Sequence, residues 1–147
     1  MPMLTTQRMV TGRILFVLLL FGVQLFAQDD EHNLKKLERQ ADNYILTENY
    51  RAAAPLFKEL LDAEPDNNHY QFSLGVCYLQ IPTDAKKGIT RKAALDLLVK
   101  AHGKVDFIDA TYYLARAYHL NYKFDDAIKY YKLYSKKLQG REPEMAY

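Results

Sequence analysis

Cysteine occurs once in this 147-residue chain, at Cys77, so an internal disulfide and an all-cysteine metal site are both excluded. Beyond residue 27 serine is almost as scarce: Ser73 and Ser135 are the two, and neither lies in the glycine-flanked turn that exposes a hydrolase nucleophile. Glycine in the same region is scattered over Gly75, Gly88, Gly103 and Gly140, so no loop cradles a phosphate with successive backbone amides. His32, His69, His102 and His119 stand at no helical spacing from one another and no Glu-x-x-His occurs. A zinc site is therefore not encoded locally, and only one assembled from distant repeats would remain. A cationic surplus is missing too. Arg8 and Arg13 lie in the N-terminal segment, and the chain beyond residue 27 carries 18 basic and 18 acidic residues, which withholds the attraction that nucleic-acid binding relies on. From these absences no catalytic residue, metal ligand, cofactor or nucleic-acid partner is assigned, and no enzyme is expected.

One hydrophobic run exists, Ile14 to Ala27, preceded by two arginines and no acid and followed by Gln28-Asp29-Asp30-Glu31. As a helix its fourteen residues rise about 21 Å, short of the roughly 30 Å hydrocarbon core, which favours a secretory signal over a spanning helix. Cleavage is expected after Ala27, with an uncleaved N-terminal anchor as the alternative. No cysteine follows at the place where a lipoprotein would be acylated, so no lipid anchor is expected. The domain reading is then 1–27 signal peptide, 28–140 helical repeat domain (34–67, 68–107, 108–138) and 141–147 short tail. The mature chain is expected to be exported, periplasmic or outer-membrane associated, with no transmembrane span.

What fills the remainder is a repeat. Small residues Ala41, Gly75 and Ala115 are each followed three positions on by Tyr44, Tyr78 and Tyr118. Further along come Ala53, Ala94 and Ala127, each followed at plus four by Phe57, Leu98 and Tyr131. The spacing is 34 from Ala41 to Gly75 and 40 from Gly75 to Ala115, the excess lying in a polar loop around Pro82 and Gly88. A small residue is needed where two helix axes approach, because a larger side chain would hold them apart. Aromatics one turn on fill the gap to the next pair, so each pair buries its face only when a neighbour stacks on it. Helices are expected at 30–47, 50–63, 68–80, 90–102, 108–121 and 124–138. Pro55 falls inside the second and is expected to bend it without breaking it. Cys77, in an apolar helical stretch, reads as a small buried hydrophobe.

The pattern resembles the tetratricopeptide repeat, most clearly in Leu74-Gly75 with Tyr78, in Tyr50 with Ala53, Phe57 and Pro65, and in Leu114-Ala115 with Tyr118, Phe124, Ala127 and Tyr131. The aromatic expected first in each unit is replaced by Leu37, Gln71 and Thr111. The resemblance implies an all-α fold, a right-handed α-α superhelix of about three helix hairpins. It also implies a concave groove lined by the first helix of each unit, where a peptide or partner protein docks. Carried over position by position, the groove residues are Lys35, Glu38, Arg39 and Asp42; His69, Phe72, Ser73 and Val76; and Tyr112, Tyr113, Arg116 and His119. Glu38 and Asp42 would repel the terminal carboxylate that some such grooves clamp. Phe72, Tyr112, Tyr113 and Arg116 form the expected hot spot. The segments Leu74–Leu79 and Tyr112–Ile128 also resemble the repeat region that opens some Gram-negative envelope proteins, in which a β-propeller and an OmpA-like domain follow. Neither domain is present in this sequence. A scaffold for envelope proteins is the function this implies, with a small-molecule or lipid carrier using the aromatic groove as the alternative. The last helix is apolar on more than one face, which points to self-association, to a docking partner there, or to a longer protein of which this chain is the front.

Overall fold

The computed structural model describes residues 31–106 and 108–139. Two units are distinguished, Met1–Leu37 and Glu38–Tyr147. Residues 1–27, expected as a signal peptide, and the expected tail at 141–147 lie outside the described residues. Among the described residues there are six α-helices and no strand: α1 at 31–46, α2 at Tyr50–Ala63, α3 at Asn68–Gln80, α4 at Arg91–Ala101, α5 at Ile108–Leu120 and α6 at Phe124–Gln139. No helix among them is long and apolar enough to cross a membrane. Of the first unit, residues 31–37 are helical, with Lys35 Nζ donating to Glu31 Oε1 at 2.6 Å.

Local chemistry sets the helix starts. Asn49, Asn67 and Thr90 each accept a backbone amide of the following turn on the side-chain oxygen, capping α2, α3 and α4. α2 runs through Pro55 unbroken, with Phe57 and Leu60 buried on the far side of it. Two helix junctions are built alike. After α1 the Glu48 amide donates to the Ile45 carbonyl (2.9 Å) and the Asn49 amide to the Tyr44 carbonyl (2.8 Å). After α5 the Tyr122 amide donates to His119 (3.0 Å) and the Lys123 amide to Tyr118 (3.0 Å). This is the paired 5→2 and 6→1 bonding of a Schellman end, and its left-handed residue is Glu48 (φ 55) in one case and Tyr122 (φ 60) in the other.

The junction between α3 and α4 holds the extra residues and is ordered rather than slack. Asp84 accepts the amides of Lys86 and Lys87 (3.2 and 3.4 Å), capping a 3-10 turn at Ala85–Lys87. Asp84 and Ile89 exchange backbone hydrogen bonds at 2.8 and 2.9 Å, closed through Gly88 at φ 73. Arg91 Nη1 donates to the Leu79 carbonyl at 2.9 Å, satisfying an acceptor at the end of α3.

Consecutive helices pack on one another from α2 to α6, and α3 also touches α5. The repeat's small residues sit where packing is closest: Ala41, Ala53, Ala94 and Ala115 are fully enclosed. A Cβ placed on Gly75 would lie 2.8 Å from Leu98 Cγ, inside contact distance, so glycine is what lets α3 and α4 approach. Phe57, Leu60, Leu98 and Leu114 fill the space between. Asn121 ties the end of α5 to the start of α4 by donating from Nδ2 to the Arg91 carbonyl at 2.8 Å. The fold is an all-α helical repeat, as the periodicity predicts.

Candidate functional site

α3 and α5 open the second and third hairpins, and their contact brings side chains 41 residues apart to one face. Half-buried Phe72 of α3 meets Tyr113 of α5 edge-on, ring centroids 5.9 Å apart at 73°. Tyr113 meets Tyr112 at 5.5 Å, and Tyr112 turns toward α6, where Tyr134 lies at 5.4 Å and Tyr131 at 6.1 Å. Edge-to-face and tilted pairs at such distances are favourable beyond the area they bury. Tyr134 donates its hydroxyl to Asp109 Oδ1 at 3.2 Å, and Lys137 Nζ donates to Thr111 Oγ1 at 2.9 Å. Burial raises the hydroxyl pKa of both Tyr113 and Tyr131, and the Arg116 guanidinium opposes the rise in each. Of the expected quartet, Phe72, Tyr112 and Tyr113 thus form one half-buried ring cluster joined by α6, and half-buried Arg116 follows one turn along α5.

The other end of this face is polar. His69 Nε2 lies 3.3 Å from Asp42 Oδ1. Its ring is set by packing, edge-on to Phe57 at 6.0 Å and tilted on Tyr70 at 5.8 Å, while its amide donates to Asn67 Oδ1 at 3.1 Å. Glu38, one turn before Asp42 on α1, joins them. Burial and then the charges of Glu38 and Glu64 push the Tyr70 hydroxyl up to about 12, with Asp42 adding to the effect.

Two of the carried-over residues are corrected. Ser73 and Val76 are buried, at 6% and 4% exposure, and pack inside the stack instead of lining an open groove. The reason is position: α3 is covered by α2, α4 and α5, so the face that a terminal helix leaves open is closed on it. Arg39 is exposed on α1, and Lys35 is exposed within the first unit. His119 sits at the far end of α5, exposed, edge-on to Phe124 at 5.8 Å. Sequence reasoning missed α6 as a contributor to the aromatic face. The signal was there as Tyr131 and Tyr134, three residues apart and so on one side of a helix. The polar loop before α4 walls a cleft of about 280 Å³ with Arg51, Pro55 and Lys58 of α2.

Cys77 is fully enclosed and burial pushes its thiol up to about 12, which makes it inert as a nucleophile.

Residues 39–86 match the family model described as tetratricopeptide repeat, a segment running from α1 through α2 and α3 into the 3-10 turn. Repeats of this type generally mediate protein–protein interaction, and proteins built from them are typically scaffolds without enzymatic activity. No curated protein matches the chain.

Proposed function

We propose that the chain is a non-enzymatic scaffold of a bacterial cell envelope that docks a peptide or partner protein on the aromatic face of α3 and α5. The observation that carries this reading is the ring contact from Phe72 through Tyr113 to Tyr112, continued by Tyr131 and Tyr134. Half-buried tyrosines that lean on one another lose little conformational freedom on binding, and an adjacent guanidinium adds a directional donor. The rings fill the space between one another, which suits a surface that a partner lies across better than an enclosed site for a carried lipid. Export and the envelope setting rest on the signal-like segment 1–27 and on the resemblance of Leu74–Leu79 and Tyr112–Ile128 to envelope repeat proteins. The exposed apolar side chains of α6, Phe124, Ile128, Leu133 and Leu138, supply a second contact surface, through which self-association would occur.

The test is affinity capture from solubilised envelope with the chain as bait. Combined Tyr112→Ala and Arg116→Ala substitution is expected to abolish capture while circular dichroism stays helical. Leu133→Glu is expected to leave capture intact and to remove any dimer seen by sedimentation. Unchanged capture by the double variant would sink the docking reading.

A further inference from the structure

We infer that Glu38, Asp42 and His69 bind a divalent transition-metal ion of the zinc type. Glu38 and Asp42 are four residues apart on α1 and so share one face, and His69 reaches that face from the start of α3, 27 positions later in the sequence. One donor atom of each lies within 4.8 Å of the other two. Metal–ligand bonds of about 2.0–2.2 Å bring donor atoms to roughly 3–4 Å from one another. The His69–Asp42 pair at 3.3 Å already meets this, and the carboxylate of Glu38 closes the rest by rotation about half-exposed side-chain bonds.

The donor set differs from a surface cluster of acids in two ways. It contains an imidazole, and that imidazole is held from outside the cluster by an edge-on contact with Phe57 and a tilted one with Tyr70. A ligand held before the ion arrives costs less to order, which is how supporting contacts raise metal affinity. The chemistry selects the class of ion. Two carboxylates balance a 2+ charge, and a nitrogen donor favours zinc, cobalt or nickel over magnesium and calcium, which take oxygen.

Three protein ligands leave a fourth coordination position of a tetrahedral ion for water or an incoming group. The ion would cancel the negative charge at this end of the face, where two carboxylates otherwise repel an acidic group, and offer that group a coordination position. This inference does not depend on the docking reading, because metal binding is measured on the chain alone.

Cobalt(II) is the probe, since its visible absorption changes with ligand type and coordination number, and zinc is the competitor. The full-length chain is expected to take up one equivalent of cobalt with a spectrum distinct from the aquo ion, and to release it to zinc. His69→Ala is expected to abolish the spectrum. Glu38→Gln and Asp42→Asn are each expected to weaken zinc binding, measured by calorimetry, by more than the roughly 10–100-fold that loss of a supporting partner costs a metal site. His32→Ala and His119→Ala should change nothing. Should His69→Ala prove poorly folded by circular dichroism, His69→Gln replaces it. One-equivalent uptake that survives loss of His69 overturns the inference, as does a wild-type chain that binds no tighter than the Glu38→Gln/Asp42→Asn/His69→Ala variant.

Discussion

α3 and α6 are both rich in apolar and aromatic residues, yet nine of thirteen residues are buried in α3 and only Ala127 of sixteen in α6. Composition accounts for part of the gap, since α6 carries four lysines and two aspartates and α3 no Asp, Glu, Lys or Arg, and the neighbours of each helix account for the rest. α3 packs against α2, α4 and α5, whereas α6 packs on α5, so the same kind of side chain is core in one helix and surface in the other. In a stacked array burial is a property of place in the stack, and stability is shared between neighbours instead of residing in any one hairpin. The lysines of α6 (Lys129, Lys132, Lys136, Lys137) are what keep its outer side solvated while Ile128, Leu133 and Leu138 stay exposed.

The sharpest way to break that comparison is to truncate equivalent apolar groups at both places. Leu98→Ala removes a fully buried side chain wedged under Gly75 and is expected to cost about 3–5 kcal/mol in urea denaturation. Ile128→Ala, half exposed on α6, is expected to cost less than about 0.5 kcal/mol. Equal losses would mean that α6 is covered after all. The close approach itself is tested by Gly75→Ala. The added methyl meets Leu98 Cγ at 2.8 Å and Leu97 Cβ at 3.3 Å, for about 1–3 kcal/mol of overpacking. Roughly 1 kcal/mol returns because alanine is the better helix former. Placing Gly75→Ala in the Leu98→Ala background gives the methyl room, so the two changes should be markedly non-additive, the double variant being more stable than the sum predicts. Strict additivity would mean that the two do not meet.

A third measurement separates interior from surface by chemistry instead of energy. Cys77 in α3 is raised from 9.0 to about 12, with burial the leading cause. A thiol whose native pKa lies above its unfolded value contributes stability that is complete below pH 9 and is lost as pH rises from there toward 12. Alkaline titration of the unfolding midpoint should therefore show a fall beginning near pH 9, and Cys77→Ala should remove the part below about pH 10 while the part due to the raised tyrosine hydroxyls, Tyr70 foremost, remains. At neutral pH a disulfide reagent should label native Cys77 roughly a hundredfold or more slowly than the urea-unfolded chain, because access requires opening of the stack. Rapid labelling of the native protein would place Cys77 at a surface.

Most of the fold could be read before the structure, because helix ends were written in short-range chemistry. The spans 50–63 and 68–80 agree with α2 and α3 residue for residue, since Asn49 and Asn67 cap them and Pro65 and Pro82 follow them. α4 is a residue shorter than expected at each end, and α5 and α6 differ by one residue at their C-terminal ends, within the ordinary fraying of a terminal turn. The site was legible only in part. That Phe72 and Tyr113 meet follows from the repeat, which superimposes first helices. That Tyr112 leans on Tyr131 and Tyr134 does not, because a tyrosine at a packing position and one at a groove position look alike in sequence. Ser73 and Val76 were misplaced for a related reason: the position-by-position transfer treats every first helix as equally open, and α3, flanked on both sides, is not. The meeting of Glu38, Asp42 and His69 is a tertiary event at a spacing no local pattern encodes.

The two like-built junctions permit a stabilising change. Glu48 and Tyr122 adopt φ 55 and φ 60, a left-handed conformation that costs a side-chain-bearing residue roughly 1 kcal/mol and glycine almost nothing. Tyr122→Gly is expected to raise stability by about 0.5–1 kcal/mol. The loss of its edge-on contact with Phe124 at 6.3 Å offsets part of the gain, since both rings are exposed. Glu48→Gly, which surrenders no ring contact, should gain more. If both variants are destabilised, the side chains hold the turns and the backbone does not.

The smallest effect belongs to the outer surface of the second helices. Lys58 donates to Asp62 at 2.8 Å on α2, and Lys92 to Asp96 at 2.7 Å on α4, one turn apart in each case. Both pairs are well formed, and both place the cation toward the helix N-terminus, the less favourable order against the helix dipole. Their side chains are more than half exposed, where screening and lost side-chain freedom cancel most of the attraction. Asp62→Asn and Asp96→Asn are therefore each expected to change unfolding free energy by less than about 0.5 kcal/mol, and 1 M salt should erase what difference there is. A loss near that of Gly75→Ala would mean that these helices draw real stability from their outer faces, and the division between a stacked interior and a merely solvated exterior would have to be redrawn.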